Sequence, residues 1–126
     1  RNCAEPLVFT TMQLYKDSTD EVPAFLAEKY DREAARYWDK FYRRNGNKFF
    51  KDRHYLEEEF PELCGDELTV LEVGCGAGNT VFPLLENHPK WRIFACDFSP
   101  TAVALVKKHE HYDAARLTAF VADLTQ

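Results

Sequence analysis

Residues 1–22 mix polar and apolar positions without a period and read as an extended or disordered arm. The pattern changes at Pro23. Leu26, Tyr30, Ala34, Tyr37 and Phe41 recur at spacings of four, four, three and four, which is the stripe of one helix face. Trp38 and Tyr42 widen that stripe. Asn45-Gly46, both tolerant of left-handed backbone, predicts the stop. Residues 47–53 read as a loop. A short helix is expected from about His54 to Phe60, ended by Pro61.

The rhythm then becomes strand, helix, strand, helix, strand. Leu68–Val73 is a short apolar run rich in branched residues, and a helix over Asn79–Asn87 opens straight from a glycine turn. Trp91–Cys96 is a second apolar run. Ser99 as N-cap and Pro100 as first helical residue predict a helix running to about His111. Leu117–Ala122 is the third run. Such alternation implies an α/β fold of parallel strands with crossover helices. Right-handed crossovers order the strands 3-2-1, a Rossmann-like arrangement. The chain thus divides into the arm (1–22), a helical aromatic and basic element (23–63) and a strand–helix segment (64–126).

A length of 126 residues suits one domain with a modest core. The net charge of −5 gives no global sign of a nucleic-acid partner, although a sum can hide a local patch. None of the four cysteines, Cys3, Cys64, Cys75 and Cys96, belongs to a Cys-x-x-Cys pair, and no Cys/His cluster has metal-ligand spacing. Cys75 and Cys96 read as small buried fillers of a protein kept in a reducing compartment. The cytoplasm is expected, with a nuclear or mitochondrial address left open. His109 and His111, two apart, read as a solvated helix end rather than a metal pair. No apolar run approaches the ~20 residues that span a membrane. The chain opens on Arg1 and stops just after an apolar run, so it reads as a fragment.

Chemistry concentrates at Gly74-Cys75-Gly76-Ala77-Gly78-Asn79, between a strand and a helix. Glycine allows the tight turn and lets a ligand approach the backbone, and the helix start offers free N–H groups. Many nucleotide-like ligands use such a turn. Two details narrow the choice. Asn79 stands where the dinucleotide pattern Gly-x-Gly-x-x-Gly would place its third glycine. Glu72, two residues before Gly74, suits a ligand with a cationic amine and no phosphate, as in S-adenosylmethionine. Asp97 ends the second strand and can accept hydrogen bonds from ribose hydroxyls. Asp123 ends the third strand on the same edge and could accept from an adenine amino group; a plain strand-end turn is its alternative.

Residues 36–54 carry Arg36, Lys40, Arg43, Arg44, Lys48, Lys51 and Arg53 against Asp39 and Asp52, seven minus two, a local charge of +5. Tyr37, Trp38, Phe41, Tyr42, Phe49 and Phe50 are interleaved. Cations contact phosphates and aromatic faces stack on bases, so RNA contact is one reading. The other is an ordinary solvated face, with Tyr37 and Phe41 in the core.

Tyr37-Trp38-Asp39-Lys40-Phe41-Tyr42, Asn47 to Leu56 with its Phe-Phe-Lys-Asp-Arg-His run, and Phe60-Pro61-Glu62-Leu63 resemble the tRNA 3-methylcytidine methyltransferases. Leu71 to Asn79, Phe82-Pro83-Leu84-Leu85, Ala95 to Pro100 and Asp123-Leu124-Thr125 continue the likeness in register. The resemblance implies a class I methyltransferase fold, here cut after the third strand. It implies S-adenosylmethionine as cofactor, with Trp38, Tyr42, Gly74, Asp97, Asp123 and Leu124 among its contacts. Glu72, Gly76 and Gly78 of the glycine loop complete the expected cofactor set. It further implies methylation of cytosine N3 in a tRNA anticodon loop, an N-terminal element including Phe49–His54 that orders around cofactor and tRNA, and, for some members, an accessory protein such as an aminoacyl-tRNA synthetase. Arg43, Arg44, Lys48, Lys51, Arg53 and His54 of the basic segment are the candidate RNA contacts. Two alternatives stay open: a truncated form that binds cofactor, RNA or a partner without turnover, and a methyltransferase with another substrate.

Overall fold

The computed structural model describes residues 22–61, 63 and 65–125. The arm over 1–21, Cys3 and Cys64 lie outside them.

Three short strands form one parallel sheet: β1 (Thr69–Val73), β2 (Arg92–Asp97) and β3 (Leu117–Val121), with β2 in the middle. This is the expected order. The register pairs Val70 with Ile93 and Ile93 with Leu117, so one pleat face presents a row of apolar side chains. Crossover helices α3 (Val81–Asn87) and α4 (Pro100–Lys107) cover that face. Val81, Trp91, Val106 and Leu117 are fully buried there, and Leu56 and Leu63 pack against the same core. The opposite face, with Leu71, Val73, Phe94 and Phe120, is exposed.

Polar ties close the ends of these elements. Arg116 donates to the carbonyls of Leu85 (2.7 Å) and Pro89 (2.8 Å), satisfying the C-terminal end of α3. The Trp91 indole N–H donates to the Gly65 carbonyl at 2.9 Å, and the His88 ring stacks on the indole at 3.7 Å. His88 also meets Glu57 at 2.6 Å, linking α3 to the single turn α2 (Leu56–Glu59).

Helix α1 (Ala24–Asn45) ends as expected at Gly46, whose φ of 57° is left-handed and whose N–H donates to the Tyr42 carbonyl. Its apolar stripe meets the core only at its C-terminal end, where Phe41 packs against it. Tyr30 and Tyr37 are about half exposed, while the adjacent face buries Tyr42 against Ala77 and Ala102. The reason is polar docking. Asp39 accepts from the Ser99 hydroxyl (2.8 Å) and the Thr101 N–H (2.9 Å), turning its own face of α1 toward the start of α4. Helix α4 begins as predicted, with Ser99 accepting from the Ala102 N–H, yet it stops at Lys107 rather than near His111. The chain leaves through a turn in which the His109 N–H donates to the Val106 carbonyl, and the His109 ring stacks on Phe82 at 3.7 Å. His109 is therefore half-buried rather than part of a solvated helix end.

Candidate functional site

The carboxyl ends of β1 and β2 meet where the glycine turn leaves the sheet. The Gly74 and Cys75 N–H groups both donate to the Cys96 carbonyl (2.8 and 3.0 Å), pinning the turn to β2. Gly74, Gly76 and Gly78 all have positive φ. At Gly76 a side chain would also strike the Tyr42 hydroxyl, and at Gly78 the Phe82 ring. The loop is built of glycine for conformation and for close approach together.

Above this turn lies a cavity of about 420 Å³. Glu72, Gly74, Cys75, Gly76 and Asn79 line it from the turn, Asp97 and Phe98 from the end of β2, Trp38 and Tyr42 from α1, and Phe50 and Arg53 from the following loop. Asp97 accepts from the Gly76 N–H and the Ser99 N–H, both at 2.9 Å. Each carboxylate oxygen keeps a second acceptor position. Glu72 is the unusual member. Burial pushes its carboxyl up to about 7 and nearby Asp97 adds to the rise, against the opposing pull of Arg53 and a hydrogen bond from Thr80. Its Oε2 is buried without a hydrogen-bond partner among the described residues. Burial also pushes the Tyr42 hydroxyl and the Cys75 thiol up to about 12, so both stay protonated at neutral pH. Cys75 and Cys96 are free and buried, as expected of fillers.

Of the residues expected at a cofactor, Trp38, Tyr42, Glu72, Gly74, Gly76 and Asp97 come together on this cavity. Gly78 lies behind it, backing the turn against Phe82. Asp123 and Leu124 sit past the end of β3 and do not line it. Asp123 instead closes a turn, accepting from the Thr125 N–H (2.9 Å) and hydroxyl (2.6 Å), which hold its carboxyl below the usual range. The Thr101 N–H above all, with the Ser99 hydroxyl, keeps the Asp39 carboxyl low, and Asp39 in turn holds Arg43 at 2.9 Å. Arg44, Lys48, Lys51, Arg53 and His54 are exposed around the aromatic cluster Phe41, Phe49 and Phe50. Sequence reasoning missed Asn79 as a contact between the glycine loop and residues 50–53, and Asp39 as the dock of α1. Among the described residues no cluster of metal-ligating side chains occurs, and no helix is long and apolar enough to cross a membrane.

Comparison with known proteins agrees with this geometry. A family described as "Methyltransferase domain" matches residues 71–126. A tRNA N(3)-methylcytidine methyltransferase of Schizosaccharomyces pombe is 53% identical over 106 residues, covering 81% of this chain and 43% of that protein. A human tRNA N(3)-cytidine methyltransferase is 47% identical over 120 residues, covering 90% of this chain and 42% of its own length. The chain thus spans about two fifths of the curated relatives it matches. In fold it resembles a SAM-dependent methyltransferase from Anabaena variabilis, with a TM-score of 0.53 at 19% identity over 71% of this chain and 39% of the other. By the sequence it shares with these relatives and by its three-stranded parallel sheet, the chain belongs to the tRNA N(3)-cytidine methyltransferase family of class I methyltransferases.

Proposed function

We propose that this chain carries the S-adenosylmethionine-binding half of an enzyme that methylates N3 of cytidine in a tRNA anticodon loop. The observation that carries the cofactor reading is Glu72, an acid with an orphaned, buried oxygen on a glycine-lined cavity. A cationic amine without phosphate is the ligand such a group accepts. Tight backbone at Gly74 and Gly76 leaves room for it, and a side chain at Gly76 would close the gap to Tyr42.

In this reading Glu72 holds the amine, Asp97 offers its free acceptor positions to ribose hydroxyls, and Trp38 and Tyr42 close the cavity from α1. Asp123 and Leu124, on the same edge of the sheet, are assigned to the adenine end. When bound, S-adenosylmethionine supplies an electrophilic methyl group. Cytosine N3 carries a lone pair and no proton, so no general base is required of the chain. Tyr42 and Cys75, both protonated at neutral pH, fit that demand. The contribution of the protein is positioning and electrostatics. N3 lies on the pairing edge, so the base is taken unpaired.

Arg43, Arg44, Lys48, Lys51, Arg53 and His54 are assigned to the tRNA backbone, with Phe49 beside them as an exposed stacking face. An accessory protein, an aminoacyl-tRNA synthetase first, rests on the family resemblance alone, and a cytoplasmic site of action on the free, buried Cys75 and Cys96. Calorimetric titration of S-adenosylmethionine, with NAD as control, tests the cofactor assignment. Saturable binding that Asp97→Ala removes from a chain of unchanged circular dichroism supports it, and preference for NAD overturns it. Reversing the charge at Arg44 and Lys51 should weaken tRNA binding and flatten its salt dependence; unchanged binding would assign another substrate.

A further inference from the structure

Asn79 is the first residue beyond the glycine turn, and it joins that turn to a stretch of chain far away in sequence. Its side-chain amide donates to the Phe50 carbonyl and to Asp52 Oδ1, both at 3.1 Å. Its own carbonyl accepts from the Arg53 N–H at 2.8 Å. Three hydrogen bonds therefore clamp residues 50–53 onto the loop that floors the cavity. The clamped stretch puts Phe50 and Arg53 on the cavity wall, and Lys51 and His54 outside it.

A primary amide has two N–H donors, and both are used here, one on a backbone carbonyl and one on a carboxylate. No other side chain of this size reproduces that: aspartate donates nothing and would set a second carboxylate beside Asp52, and serine has one donor. The strap over 50–54 has no secondary structure of its own, so its shape depends on such outside ties.

We propose that Asn79 is the positioning residue through which occupancy of the glycine-loop cavity sets the shape of the 50–54 strap, a stretch that the family resemblance already implies orders around cofactor and tRNA. This rests on the cofactor and RNA reading above. A ligand that orders the glycine turn orders Asn79 with it, and through Asn79 the strap that carries Lys51 and Arg53. Linkage makes the effect reciprocal: RNA held by the strap tightens the cofactor by the same factor.

Trypsin cleaves after Lys51 and Arg53, which makes the strap its own reporter. Cleavage there is followed in the full chain with and without saturating S-adenosylhomocysteine, for wild type, Asn79→Ala, Asn79→Asp and the exchange Asn79→Asp with Asp52→Asn. The clamp predicts that Asn79→Ala is cut about tenfold faster, as expected for losing two hydrogen bonds. It also predicts that S-adenosylhomocysteine, bound according to calorimetry, slows cleavage of wild type but not of Asn79→Ala. The exchange, which restores a donor–acceptor pair with roles reversed, should regain part of the protection that Asn79→Asp loses. Equal cleavage and equal ligand protection of wild type and Asn79→Ala overturn the proposal, as does an exchange variant no better than Asn79→Asp when Asn79→Ala is globally unfolded. A wild type that binds no S-adenosylhomocysteine removes the cofactor reading, and the ligand-free rates then decide the clamp alone.

Discussion

Replacing Glu72 with glutamine should change how stability depends on pH, and the direction is fixed by the site. Burial raises the carboxyl from its ordinary 4.5 to about 7 in the folded chain. The unfolded chain exposes it, so ionisation favours unfolding. Wild-type stability from this group is fully present below about 4.5 and is lost as pH rises through about 7. The gap between those two values corresponds to about 3 kcal/mol at about 1.4 kcal/mol per pH unit. Part of it is offset by the nearby Arg53 cation and the Thr80 hydroxyl, which that value already includes. Glutamine keeps the shape and cannot ionise. Urea unfolding at steps from pH 5 to 8 should therefore show the wild type losing stability relative to Glu72→Gln across the window. The variant should end the more stable of the two at pH 8 by as much as about 3 kcal/mol. Saturating S-adenosylmethionine should flatten the wild-type curve as well, because a bound amine stabilises the ionised acid. Wild type and variant curves that run parallel between pH 5 and 8 would refute a buried Glu72 with an orphaned oxygen. The Asp39 carboxyl, held low by Thr101, titrates below this window and does not mask the effect.

Two further substitutions probe the turn and the core. Gly76→Ala forces a side chain into left-handed backbone at φ 54° and against the Tyr42 hydroxyl, so it should cost about 2–3 kcal/mol and abolish S-adenosylmethionine binding. Thermal unfolding with calorimetry checks this, and a stable variant with wild-type affinity would mean that the turn is looser than described. Trp91→Ala empties a fully buried site and strands the Gly65 carbonyl, so denaturant unfolding should show a loss of about 3–5 kcal/mol; a loss under about 1 kcal/mol would contradict its place in the core.

The strands and crossover helices were legible because each is announced locally. Branched apolar runs mark β1 to β3, Ser99-Pro100 marks the start of α4, and Gly46 marks the end of α1. Part of the cavity lining was legible for a related reason: Glu72, Gly74, Gly76 and Asp97 lie at or just past strand ends, and parallel topology brings strand ends together. What stayed hidden depends on partners distant in the chain. The period of α1 shows that Tyr37 and Phe41 share a face. It cannot show that Asp39, reaching Ser99 and Thr101 some 60 residues on, sets the helix so that Phe41 packs inward while Tyr37 stays half exposed. Asn79 looked like a departure from a glycine pattern, and its amide was needed for a strap 27 residues earlier. Past the early end of α4 the His109 ring stacks on Phe82, a contact that no helix propensity encodes.

The uncovered side of the sheet has a practical consequence for anyone handling this polypeptide. Among the described residues, Leu71, Val73, Phe94 and Phe120 present a flat oily surface, and β1 pairs with β2 alone, its outer backbone groups unmatched within the sheet. Surfaces and edges of that kind recruit other strands. Salting-out ions strengthen the attraction. Purification at low protein concentration, without sulfate or phosphate, and with light scattering watched before any binding curve is recorded, is what this geometry recommends.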